Sequence, residues 1–128
     1  MHRDDERDVG MRLVNLCGHP IDILLPTGEH RRLPPSGTIA RVECRRERRE
    51  PVAGIALHAV ADGVIEGLPA SDRGVLNVAS TRVAQAAAAR GRRDVLAPDT
   101  APESAIRDCD GRIVAIRGLQ TFGPLQAG

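Results

Sequence analysis

Apolar and polar positions fall into many short runs and one long regular segment. That segment is Gly74–Pro98, GVLNVASTRVAQAAAARGRRDVLAP. Val75, Leu76, Val78 and Ala79 form an almost continuous apolar run, broken by Asn77, which suits a strand covered on both faces. Ser80 or Thr81 then offers a side-chain oxygen to the unpaired amides of a first helical turn. Val83, Ala84, Ala87 and Ala88 share one helical face, while Arg82, Gln85 and Ala89 fall away from it. Five alanines favour helix, Arg90 suits the negative carboxyl end, and Gly91 suits a left-handed stop. The pattern predicts a helix over residues 80–90 and a second short strand at Asp94–Ala97.

Elsewhere the runs are strand-like. Met11–Leu16, Ile21–Leu25 and His30–Leu33 are separated by Cys17-Gly18-His19-Pro20 and Pro26-Thr27-Gly28-Glu29, which read as turns. Thr38–Cys44 alternates with period two. Arg45–Glu50 (RRERRE) reads as the solvated tip of a hairpin. Pro51–Val60 follows with a bulge expected at Gly54, then a turn at Ala61-Asp62-Gly63 and a short return over Val64–Leu68. Ser104–Asp108 and Arg112–Gly118 flank the turn Asp108-Cys109-Asp110-Gly111, and little organisation is expected after Leu119. Strands at such spacing with one late helix predict an α+β protein. Its sheet is expected to be small, mostly antiparallel and curled, or a partial barrel. The expected division is a charged, flexible N-terminus (1–10), one globular domain (11–122) and a tail (123–128).

Composition narrows this picture. With one aromatic, Phe122, the core must be built from Val, Ile, Leu and Ala. All 18 basic residues are arginine, which with the Ala, Gly and Pro content suggests a high-GC actinobacterial genome. A net charge of +1 gives no global field toward nucleic acid or an anionic membrane. The mixed charges of Arg45–Glu50, with no aromatic for stacking, do not point to nucleic acid either. No apolar run is long enough to span a bilayer, and no hydrophobic segment follows the charged opening as in a secretory signal. Three widely spaced cysteines favour a reducing, cytoplasmic location over a disulfide framework.

Several phrases together resemble a family of small uncharacterised proteins from actinobacteria and tailed phages with an Asn-Leu-Thr-Pro-His opening. They are Leu13-Val14-Asn15-Leu16 with His19-Pro20-Ile21, Pro34-Pro35-Ser36-Gly37 with Ala40-Arg41-Val42, and Glu66-Gly67-Leu68-Pro69. Val78-Ala79-Ser80 with Val83-Ala84, Arg93 through Thr100, and Ile106-Arg107-Asp108 through Gln120 complete them. The resemblance spans about residues 11–122. It implies a single compact domain and an origin in a prophage or mobile element, and brings no activity with it. The sequence departs from the family at Cys17-Gly18, where Thr-Pro is usual, and at Asn77, where an aromatic is usual.

Candidate chemistry is sparse. Cys17 and His19 would share a face of an extended segment, with Asn15 as an orienting third group for a nucleophile pair; the plainer reading is a structural turn. A zinc site needs four ligands, and only Cys17 and His19 form a close pair, so no metal or cofactor is assigned. Asp94 and Asp99 flank the short strand and could converge on one pocket with Arg93 and Arg107 as partners, although Asp108 and Asp110 suit a turn alone. The start of the helix, with Ser80, Thr81 and Arg82, is an anion-binding candidate, to which Arg93, Asp94 and Asp99 are added as ligand-binding candidates. The sequence favours a non-enzymatic binding module that captures a small anionic, nucleotide-like ligand or a host protein. The alternatives are a small hydrolase or transferase using Cys17/His19 or the aspartates, and a self-assembling subunit. A homo-oligomer fits all three.

Overall fold

The computed structural model describes residues 11–128, and the expected flexible segment 1–10 lies outside the described residues. The elements in chain order are β1 (Arg12–Asn15), β2 (Ile21–Leu24), β3 (His30–Leu33), β4 (Arg41–Val52), β5 (Ile55–Glu66) and β6 (Val75–Val78). After these come α1 (Thr81–Ala89), β7 (Val95–Pro98), β8 (Ala105–Arg107), β9 (Ile113–Ile116) and β10 (Leu119–Gln120). The protein is α+β: mostly strand, with one helix among the described residues.

Among the described residues three sheets form, with orders β1-β6-β7-β10, β3-β2-β9-β8 and β4-β5, and none is a closed barrel. Antiparallel pairing is only part of the picture. Four of the seven pairings are antiparallel and three are parallel, β1 with β6, β6 with β7, and β2 with β9. The central strand β6 therefore has parallel neighbours on both sides. Parallel partners are far apart in sequence, so no local turn signal announces them.

All four residues of β6 are buried, Asn77 among them, as suits a mostly apolar strand with parallel neighbours on both sides. Side chains alternate between two cores. Leu16, Ala79, Val95 and Ala97 pack on one face against Val83, Ala84 and Ala87 of α1 and Ala40, with Val42, Ile65 and Leu68 beside them. Leu76, Val78 and Leu96 pack on the other face against Ile21, Ile23 and Ile116 of the second sheet. The first sheet is thus the middle of three layers. Helix α1 matches expectation closely: Ser80 caps it, its hydroxyl accepting from the Val83 amide, Arg90 ends it, and Gly91 has φ +85°.

The arm formed by β4 and β5 is where expectation and structure part. Arg45–Glu50 is no hairpin tip but the middle of the 12-residue strand β4. Ala53 and Gly54, with φ 51° and 78°, make the turn, as a two-residue loop matched to strand twist needs positive φ at both places. Gly54 is therefore a turn residue rather than a bulge. Ala61-Asp62-Gly63 lies within the single 12-residue strand β5, where the register shifts between Cys44/Asp62 and Val42/Ile65. Asp-Gly thus serves a bulge that brings Asp62 over α1, where it pairs with Arg82 at 2.8 Å. The chain after Leu119 is also better organised than expected. β10 pairs with β7, the Gln126 amide donates to the Arg93 carbonyl at 2.7 Å, and Ala127 packs on the second core.

Candidate functional site

The parallel strands β1, β6 and β7 end at the same side of the central sheet, and the segments that follow them line one cavity of about 420 Å3. Cys17 and His19 come from the turn after β1, Ser80 and Thr81 from the start of α1, and Pro98 and Thr100 from the end of β7. The opposite wall is Asp22 of β2 and the whole of β9. A crevice outside the carboxyl ends of parallel strands is where α/β sheets commonly hold ligands, and this volume suits a small molecule.

Each wall is held by specific bonds. Asn15 is buried, with Nδ2 donating to the carbonyls of His19 (2.9 Å) and Leu33 (3.0 Å) and Oδ1 accepting from the Cys17 amide (2.8 Å). It clamps the turn after β1 and ties it to β3. Asn15 therefore does not orient the imidazole, as a catalytic third group would. The His19 ring sets Nδ1 3.0 Å from the Pro20 carbonyl; since a carbonyl only accepts, Nδ1 carries the proton. Burial pushes the Cys17 thiol up from its ordinary value, which disfavours the thiolate a nucleophile needs. Asp22 is held by Arg32, Nε to Oδ1 at 2.7 Å and Nη2 to Oδ2 at 3.2 Å, and that hydrogen-bonded guanidinium lowers its carboxyl.

At the head of α1 the Ser80 hydroxyl serves the Val83 amide and the Ser80 carbonyl serves Ala84. The Thr81 and Arg82 amides belong to the first turn, which has no intrahelical acceptor for them. The positive end of the helix dipole lies at the same wall.

The expected site residues divide. Ser80, Thr81, Cys17 and His19, separate proposals in the sequence, meet in this cavity. Arg82 turns away to Asp62. Asp94 and Asp99 do not converge. They sit at opposite ends of β7, five residues or roughly 16 Å of extended chain apart. Asp99 Oδ1 accepts from the Ala101 amide at 3.1 Å beside the cavity's Thr100. The partner of Asp94 is Arg92, not Arg93, and Arg107 donates to the Gly111 carbonyl, at 2.6 Å, rather than to either aspartate. Asp22, Thr100 and β9 line the cavity beyond what the sequence pattern predicts. Asp22 is the polar member of its strand, but only the β2–β9 pairing, across some 90 residues, brings the two walls together.

Comparisons with protein-family models, curated proteins and solved structures find no match for this chain. Its geometry alone carries the functional reading.

Proposed function

We propose that this protein is a non-enzymatic binding module whose ligand is a small molecule with an apolar body and one anionic end, a carboxylate or phosphate. The observation that carries this reading is the cavity at the shared carboxyl ends of β1, β6 and β7, with the start of α1 in its wall. Ile21, Ile113, Val114 and Ile116 supply apolar surface. Thr81, Thr100 and His19 supply polar groups, and the first-turn amides favour a negative charge. No aromatic lines the cavity, so a nucleotide would be gripped through its phosphate rather than by base stacking. A Cys17 thiol pushed up by burial and an Asn15 bonded to backbone through both its amide nitrogen and its oxygen leave binding better supported than nucleophilic chemistry. Three unpaired cysteines fit a reducing cytoplasm.

The test is a calorimetric and thermal-shift screen of carboxylates, phosphates and nucleotides, followed by variants. Ile113→Asp sets a like charge at the cavity wall and should weaken binding at least tenfold. Arg82→Ala, whose guanidinium faces Asp62, should leave affinity unchanged. Equal affinity in Ile113→Asp and the unaltered protein would place the ligand elsewhere.

A further inference from the structure

The β4–β5 arm is a two-stranded ribbon with strands of 12 residues, nearly all of them exposed. Only its base is covered, where Val42 and Ile65 pack on the helix-side core and Arg90 donates to the Gly63 carbonyl. A lone two-stranded ribbon is marginal in water, and further strands normally complete it. Among the described residues, both its strands are edges.

The two edges differ in chemistry. β4 carries Arg45-Arg46-Glu47-Arg48-Arg49 and then Pro51, the charges and proline that protect an edge from pairing. β5 carries Ile55-Ala56-Leu57-His58-Ala59-Val60-Ala61, seven residues with no arginine, acid, proline or glycine. Ile55 is 70% exposed and Val60 59%. Nothing in this stretch resists strand addition.

Charge selects the occupant. Arg45–Arg49 reads the same in both directions about Glu47, so antiparallel pairing of β4 with a second β4 centred there would set Glu47 on Glu47, Arg46 on Arg48 and Arg45 on Arg49. Every pair would oppose like charges. Pairing of β5 with a second β5 about His58 opposes Ile55 to Ala61, Ala56 to Val60 and Leu57 to Ala59, all without charge. It also leaves the arginine rows on the two outer strands. Along one face, Glu43 already pairs with Arg45 and Glu47 with Arg49, each at 3.2 Å, which offsets the charge on that face of the outer edges.

We propose that two copies of this chain associate through β5, about a two-fold axis near His58, into one four-stranded antiparallel sheet ordered β4-β5-β5-β4. The occupant of the open edge is thus a second copy, and the interface is independent of the cavity.

The experiment measures mass by sedimentation equilibrium across the micromolar range, with amide exchange on the same samples. The expected result is a dimer with slow exchange along Ile55–Ala61. Leu57→Lys combined with Ala59→Lys should give a monomer with the core melting transition retained, whereas Arg48→Ala should stay dimeric. With Cys44 and Cys109 replaced by serine, His58→Cys should form a disulfide-linked dimer on mild oxidation. A monomer throughout the range, or a dimer that survives the double lysine variant, would overturn the proposal. So would a His58→Cys dimer that fails to cross-link. An unknown chain or nucleic acid found on β5 in place of a second copy would overturn it as well.

Discussion

Arg92 grips Asp94 with two parallel bonds, Nε to Oδ1 at 2.9 Å and Nη2 to Oδ2 at 2.8 Å, two residues apart at the entrance to β7. The aspartate side chain is 1% exposed and also accepts from Ser71 Oγ and Asn77 Nδ2. Arg92 reaches onward to the Pro69 carbonyl at 2.8 Å. One carboxylate thus joins the chain entering β6, the strand itself and the segment after α1. Asp94→Ala would strand these donors, and loss of a buried pair's anion costs about 3–5 kcal/mol. Urea titration should show a lower midpoint with an unchanged slope.

The same pair sets a pH dependence. The hydrogen-bonded Arg92 guanidinium, against the opposing effect of burial, holds the Asp94 carboxyl below the usual carboxylate range. A carboxyl lowered in the folded state stabilises the fold above its unfolded value of about 3.9, and that contribution fades as pH falls through the depressed folded value. Stability measured from pH 6 downward should therefore fall less steeply in Asp94→Ala than in the unaltered protein.

Helix α1 lies close to the sheet because its contact face is alanine. Ala84 and Ala87 are fully buried against Ala79 and Ala97. Ala87→Leu adds three carbon atoms to a contact without room, an overpacking cost of about 1–3 kcal/mol. A lowered melting temperature checks this, and Ala89→Leu on the exposed face should change it little.

Two glycines, one at the tip of the arm and one just past the end of β5, separate backbone strain from steric contact. Gly54 has φ +78° with open space around it, whereas Gly67 has φ +77° and faces the Ile39 carbonyl and the Ala40 backbone where a Cβ would stand. Gly54→Ala should cost about 1–2 kcal/mol from its left-handed backbone alone. Gly67→Ala carries the same strain and must also move Ile39, so it should be clearly the more destabilising in a thermal melt.

What could be read from the sequence was whatever is local. The β6–α1–β7 unit stands almost as its pattern implies, because burial on two faces, a capping serine and a terminal glycine are signals within 25 residues. The arm departs from its local signals for the opposite reason. Asp62-Gly63 has the composition of a turn, yet Ala53-Gly54 makes it, since strand length and the docking of Asp62 on Arg82 are set by tertiary contact. The cavity was legible only in pieces. Cys17, His19, Ser80 and Thr81 could each be singled out, but their convergence depends on the parallel pairing of β1 with β6, some 60 residues apart.

Asn15 decides whether the turn beneath His19 is architecture or chemistry. Its amide donates to two carbonyls and its oxygen accepts one amide, so three of its four hydrogen-bonding positions are taken by backbone. Asn15→Ala should leave these buried groups unpaired and cost about 2–4 kcal/mol, on the scale of 1–3 kcal/mol for each strongly desolvated group. Asn15→Asp keeps the acceptor but sets a carboxylate against the His19 and Leu33 carbonyls, so it should destabilise at least as much near neutral pH and recover partly in acid as the carboxyl protonates. Cys17→Ala removes a half-buried thiol and should cost less than either. Urea denaturation of the three variants, with Asn15→Asp repeated at pH 4, checks the order. If Asn15→Ala kept full stability while abolishing ligand binding or a turnover, the residue would belong to the chemistry of the cavity rather than to its frame.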